Sequence, residues 1–169
     1  MTRSLTPAAA QTVVQAFISC RLDHCNSLLY GISENLIRRV QSVQNAATRL
    51  LTGARCRDHI SPVLRRLHWL PVRRRMDFKL VCLVHLSLAG QAPHYLAEDI
   101  HLVAAGLGRQ LRSSTDRSCS VPRTYSRSGD RSFAAAGTRV WNSLTSSLRD
   151  EKTPFSELQM PAENTLVYC

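Results

Sequence analysis

The chain has 169 residues, 44% of them hydrophobic and 20% charged, which suits one packed core or one domain with loose ends. No stretch approaches the roughly 18 apolar residues of a membrane span, since the run from Leu80 to Val84 is broken by His85 and Ser87. The first 20 residues lack the charged-then-apolar layout of a secretory signal, so the sequence reads as neither membrane-bound nor secreted, with cytoplasm and nucleus both open.

The formal charge is +10, from 22 basic against 12 acidic residues, and 20 of the basic residues are Arg, with Lys only at Lys79 and Lys152. A guanidinium forks onto phosphate and stacks on bases where an ammonium is a hydrated point charge, so the excess points to nucleic acid or another phosphate partner. GC-rich coding DNA produces the same bias. The six cysteines (Cys20, Cys25, Cys56, Cys82, Cys119, Cys169) include no C-x-x-C pair, which excludes a zinc ribbon and favours free thiols.

In chain order, Thr6 and Pro7 form an N-cap and first-turn pair, and Val13, Val14, Phe17 and Ile18 recur at helical spacing, predicting a helix over 7–21. Ser33 and Glu34 open a second helix whose stripe Leu36, Val40, Val43, Ala47 and Leu50 is expected to face the core, with Gly53 as its C-cap. The opposite face carries Arg38, Gln41, Ser42, Asn45 and Arg49, read as solvated or laid along a phosphate backbone. Ser61 and Pro62 start a short helix holding Val63, Leu64 and Leu67, and Pro71 ends it and opens another that runs to about Ala89, before Gly90. Trp69 is expected to plug the core between these two. Turn pairs flanked by alternating strands are absent, so residues 1–100 read as a helical domain.

From 101 to 132 Ser, Gly and Arg alternate, predicting a mobile segment that orders on a polyanion. A last helix is expected over 133–149, with Val140, Trp141, Leu144 and Leu148 as its apolar face, then a loose tail over 150–169. The fold class is therefore mainly α, a small helical bundle.

Arg65, Arg66, Arg73, Arg74 and Arg75 bracket Pro71. Three Arg in a first turn oppose the helix dipole, and an anion at that end would relieve the conflict; the competing reading is a solvated face in which Arg73 pairs weakly with Asp77. The clusters Cys20, His24, Cys25 and Cys56, His59 match no standard zinc finger spacing. Asp23, His24 and Cys25 are sequence neighbours that point to different faces, unlike a catalytic triad. The adjacent acids are Glu98–Asp99 and Asp150–Glu151 only, and no Gly-rich phosphate cradle is present. The reading is a non-catalytic chain without cofactor or metal.

Four blocks, Ser19–Gly31 (SCRLDHCNSLLYG), Arg39–Gly53 (RVQSVQNAATRLLTG), Asp58–Leu80 (DHISPVLRRLHWLPVRRRMDFKL) and Gly129–Leu144 (GDRSFAAAGTRVWNSL), resemble in order the C-terminal region of reverse transcriptases from jockey-type LINE (non-long-terminal-repeat) retrotransposons. The resemblance runs from about Leu5 to Arg149 and implies a helical thumb and post-thumb segment that holds template RNA and primer. His24 stands where the family usually shows an aromatic residue, and the stretch after Arg149 departs from it. The family's palm, with its Asp-rich metal site, and its endonuclease are not among these residues, so neither DNA synthesis nor target cleavage is implied. The expected function is sequence-independent RNA or DNA binding through Arg38, Arg39, Arg49, Arg65, Arg66, Arg73, Arg74 and Arg75. The alternatives are a protein-interaction module, whose Leu36–Val40–Val43–Leu50 stripe pairs with itself, with the missing polymerase domains or with another protein, and a translated relic without selected function.

Overall fold

The computed structural model describes residues 6–106 and 117–150, and they are mainly helical. Among them the helices are α1 (Pro7–Val14), α2 (Cys20–Asp23), α3 (Glu34–Thr52), α4 (Ile60–Arg66), α5 (Val72–Leu88), α6 (His94–Ala97), α7 (Val103–Gly106), α8 (Arg127–Asp130) and α9 (Phe133–Asn142). A π turn (Gln15–Ser19) and 3₁₀ turns (Asn26–Leu29, Ser146–Leu148) join them. Two compact units result, and the division falls between Met76 and Asp77, inside α5. The expected tail over 150–169 lies outside the described residues beyond Asp150.

In the first unit, Thr6 caps α1 by accepting a hydrogen bond from the Ala9 N–H, with Pro7 at the first position. The expected apolar face then fails at the π turn. Its i→i+5 hydrogen bond, from the Cys20 N–H to the Gln15 carbonyl, moves the next inward position five residues beyond the buried Val14 to Ser19, and leaves Phe17 73% exposed. The ends of α3 are where the sequence puts them, at Ser33 and at Gly53, which takes the left-handed φ of 69°.

The face of α3 is kept only in part, at Ala47, which is buried, and Val40, which packs against the core. Ile37, Gln44, Ala47 and Thr48 are buried, whereas Leu36, Val43 and Leu50 are 46%, 51% and 57% exposed. The cause is the Pro71 junction. Gln41 Oε1 accepts from the Val72 N–H at 2.8 Å, and Gln44 Nε2 donates to the Leu70 carbonyl at 2.8 Å. Gln41 Nε2 in turn donates to Gln44 Oε1 and Asn45 Oδ1, both at 2.9 Å. These amides satisfy the backbone of the turn between α4 and α5, whose burial would otherwise leave polar groups unpaired. Ile37, Val72 and Met76 then close a core with Ile32 and Val40 beside them. α4 ends with the Trp69 N–H on the Leu64 carbonyl and the His68 N–H on the Arg65 carbonyl, a Schellman pattern with His68 at φ 55° in the place glycine usually takes. Trp69 is half-buried at this junction.

In the second unit, Leu80, Val81, Cys82 and Val84 of α5 are buried, as are Ala135, Ala136, Val140 and Trp141 of α9. The two helices approach closely at Gly137, where an added Cβ would lie 2.9 Å from Val84 Cγ2. The Trp141 indole donates to the Arg117 carbonyl at 2.8 Å, and its ring lies 6.3 Å from that of His85 at 47°. Of the Ser/Arg-rich stretch, residues 107–116 lie outside the described residues. From Arg117 on it is hydrogen-bonded to the rest of the unit. Leu102 and Cys119 form an isolated antiparallel bridge, and the Asn142 amide both accepts from the Cys119 N–H and donates to its carbonyl, each at 2.8 Å. The expected last helix is α9 followed by the 3₁₀ turn, with Leu144 buried.

Candidate nucleic-acid interface

Charge is distributed unequally between the two units. Residues 6–76 hold 11 Arg, no Lys and three acids (Asp23, Glu34, Asp58), a net +8 of the chain's +10. Each of those acids is already engaged. Asp23 pairs with Arg75 at 2.6 Å, Glu34 takes Arg73 and, at 3.9 Å, Arg38, and Asp58 accepts from the Arg55 N–H at 2.7 Å. The positive field of the unit is therefore opposed by few free carboxylates, the condition under which a surface draws polyanions.

The eight arginines named from the sequence divide by environment. Arg65 and Arg66 close α4 with their side chains exposed, a helix end where cations suit the dipole. Arg38 and Arg39 are exposed on α3, the Arg38 side chain 78% so. Arg73 and Arg38 meet at Glu34, an acid of α3 that sequence spacing does not pair with Arg73. Arg75 is structural: its side chain is 11% exposed, with Nε donating to the Leu70 carbonyl at 2.9 Å and a terminal nitrogen on Asp23. Arg49 and Arg74 are half-buried.

The start of α5 is already engaged within the unit. The Val72 N–H, the first orphan donor of that helix, is occupied by Gln41, and two of the three Arg of the first turn are tied to acids of the same unit. Of the eight, the exposed arginines outside that turn lie on α3 and α4, and Arg21, Arg55 and Arg57 of the same unit are exposed as well. Sequence spacing finds all eight arginines but not this partition, because the partners Asp23 and Glu34 are 52 and 39 residues away.

Trp141 is buried and Trp69 half-buried, while among the described residues Phe17, Tyr95 and Tyr125 are the exposed Phe and Tyr rings. Glu98 of the adjacent acid pair is exposed and bonded to His94 at 2.9 Å. Among the described residues no three of His, Cys, Asp and Glu come together as a metal ion would require, Cys20, Cys25, Cys56, Cys82 and Cys119 are free thiols, and no helix is long and apolar enough to cross a membrane. Burial pushes the Cys82 and Cys119 thiols up to about 11. Burial also lowers the pKa of His85, assisted by the Arg117 charge. Asp130 is held below the usual carboxylate range by hydrogen bonds from Thr124 and Arg139. None of these shifted groups belongs to the arginine-bearing surface.

No family model, no curated protein and no solved structure matches the chain.

Proposed function

We propose that the chain is a non-catalytic helical segment of retrotransposon reverse-transcriptase origin that binds RNA or DNA without sequence preference. The observation that carries the reading is the net +8 of residues 6–76 with all three acids engaged, since unopposed guanidinium charge supplies the sequence-independent part of nucleic-acid affinity. The origin rests on the four ordered blocks named above, with which a helical architecture agrees. Arg65, Arg66, Arg38 and Arg39 make the phosphate contacts. Arg75 holds the fold.

The test is fluorescence anisotropy of the full chain with a labelled single-stranded RNA. Arg65→Ala with Arg66→Ala weakens binding by about tenfold, the scale of two charge-assisted contacts partly screened by solvent, with unchanged circular dichroism. A double variant that binds as tightly as the unmodified chain contradicts the reading. A second reading, a protein-interaction module, is favoured by one specific observation, the exposed apolar stripe of α3.

A further inference from the structure

Leu36, Val43 and Leu50 succeed one another every seven residues along α3, so they form one stripe over two turns each. All three are about half exposed, although the helix is anchored on its other side by Ile37, Gln41, Gln44 and Thr48. Single exposed Leu or Val residues are ordinary, whereas three in heptad register on a 19-residue helix make a seam of the kind that receives a partner helix. Small Ala46 is also exposed along it, leaving room for a close approach.

The charges beside the seam select the occupant. Arg39 lies three residues after Leu36 and four before Val43, within the stripe itself, and Arg49, one residue before Leu50, flanks it. The sole acid of the helix is Glu34, at its first turn and bonded to Arg38 and Arg73. A second copy of α3 would bring two such arginine sets into one interface with nothing to compensate them, a repulsive arrangement. A helix carrying apolar residues at heptad spacing and Asp or Glu beside them satisfies both features at once.

We propose that α3 is a docking surface for an acidic amphipathic helix of another protein, seated on Leu36, Val43 and Leu50 with its carboxylates on Arg39 and Arg49. The proposal rests on the interaction-module reading and gives that module its partner class.

The probe is a labelled 21-residue peptide with Leu at the a and d positions and Glu at e and g. It is compared with one peptide carrying Lys at e and g and with another carrying Ser at a and d. The expected result is that the Leu/Glu peptide binds the full chain at least tenfold more tightly than either control. Val43→Ser with Leu50→Ser removes that advantage while circular dichroism is unchanged, as the exposure of both side chains requires. Arg65→Ala with Arg66→Ala leaves peptide binding intact, so failure of the RNA reading and failure of this one are told apart. Equal affinity for the Leu/Glu and Ser/Glu peptides reduces the effect to bulk charge and overturns the proposal, as does absence of binding. A chain that sediments as a dimer, and as a monomer once Val43 and Leu50 are Ser, assigns the seam to a second copy and overturns it too. Binding to phosphatidylserine vesicles that the same double variant abolishes assigns the seam to a lipid surface, with the same consequence.

Discussion

Gln41 reads in the sequence as part of a polar face, yet it holds the first N–H of α5, and Gln44 one turn on is fully buried. Their consequences for stability differ in a way the hydrogen bonds define. Gln41→Leu leaves the Val72 N–H without its acceptor and costs about 1–3 kcal/mol, the penalty for an unpaired buried donor. Gln44→Leu is milder, about 1 kcal/mol or less, because the Leu70 carbonyl it vacates still accepts from Arg75 Nε. Urea unfolding midpoints of the two variants give that order, and the reverse order would contradict the assignment of the junction.

The buried thiols make a pH-dependent statement at the same scale. Cys82 and Cys119 titrate at about 11 in the fold against 9.0 for a free thiol, so folding favours their neutral forms. Their contribution is complete below pH 9 and is lost as pH rises from there through 11. Thermal unfolding of the unmodified chain therefore weakens across that window more steeply than that of Cys82→Ala. Alkylation at pH 8 modifies the exposed Cys20, Cys25 and Cys56 well before Cys82 and Cys119.

At the scale of elements, α9 meets α5 through Gly137. A Cβ there falls 2.9 Å from Val84 Cγ2 and 3.2 Å from Phe133 Cε2, and Val84 is a stiff β-branched side chain with no exposure. Overpacking thus outweighs the roughly 1 kcal/mol of helix propensity that Ala brings. Gly137→Ala lowers stability by about 1–3 kcal/mol, and Val84→Ala in the same chain recovers part of the loss as a non-additive double-mutant cycle. Additive costs would show that the two helices do not touch there.

The helix ends were legible where a residue signals locally. Thr6 with Pro7, Ser33, Gly53 and Gly90 mark ends that the structure keeps. The end of α4 at His68 was found only through Pro71, because its left-handed φ is held by an imidazole residue rather than glycine. Facing was not legible. Periodicity identified the stripe Leu36, Val43, Leu50 correctly as apolar but turned it inward, since the competing claim on the helix, the amides that satisfy the α4–α5 turn, comes from residues about 30 positions away. The π turn after Val14 is a second case. It adds one residue to the repeat and sends Phe17 outward, and nothing in a 3.6-residue period announces it.

At the scale of the whole molecule, the unequal charge is the feature on which the proposed binding rests. The residues from 6 to 76 hold nearly all of the net positive charge, and the ion pairs within that unit sort arginines that build it from arginines that face outward. The candidate site was legible in the sequence as a list of eight arginines. The division of labour among them required the positions of Asp23 and Glu34.

The measurement that tests this account most directly is the salt dependence of single-stranded RNA affinity, for the full chain and for Arg65→Ala with Arg66→Ala. Contacts from Arg38, Arg39, Arg65 and Arg66 predict that log affinity falls against log salt with a slope near about −3, at about −0.7 per phosphate, and that the double variant flattens it by about 1.4. An affinity independent of salt, or a slope the double variant does not change, would contradict the assignment of the interface.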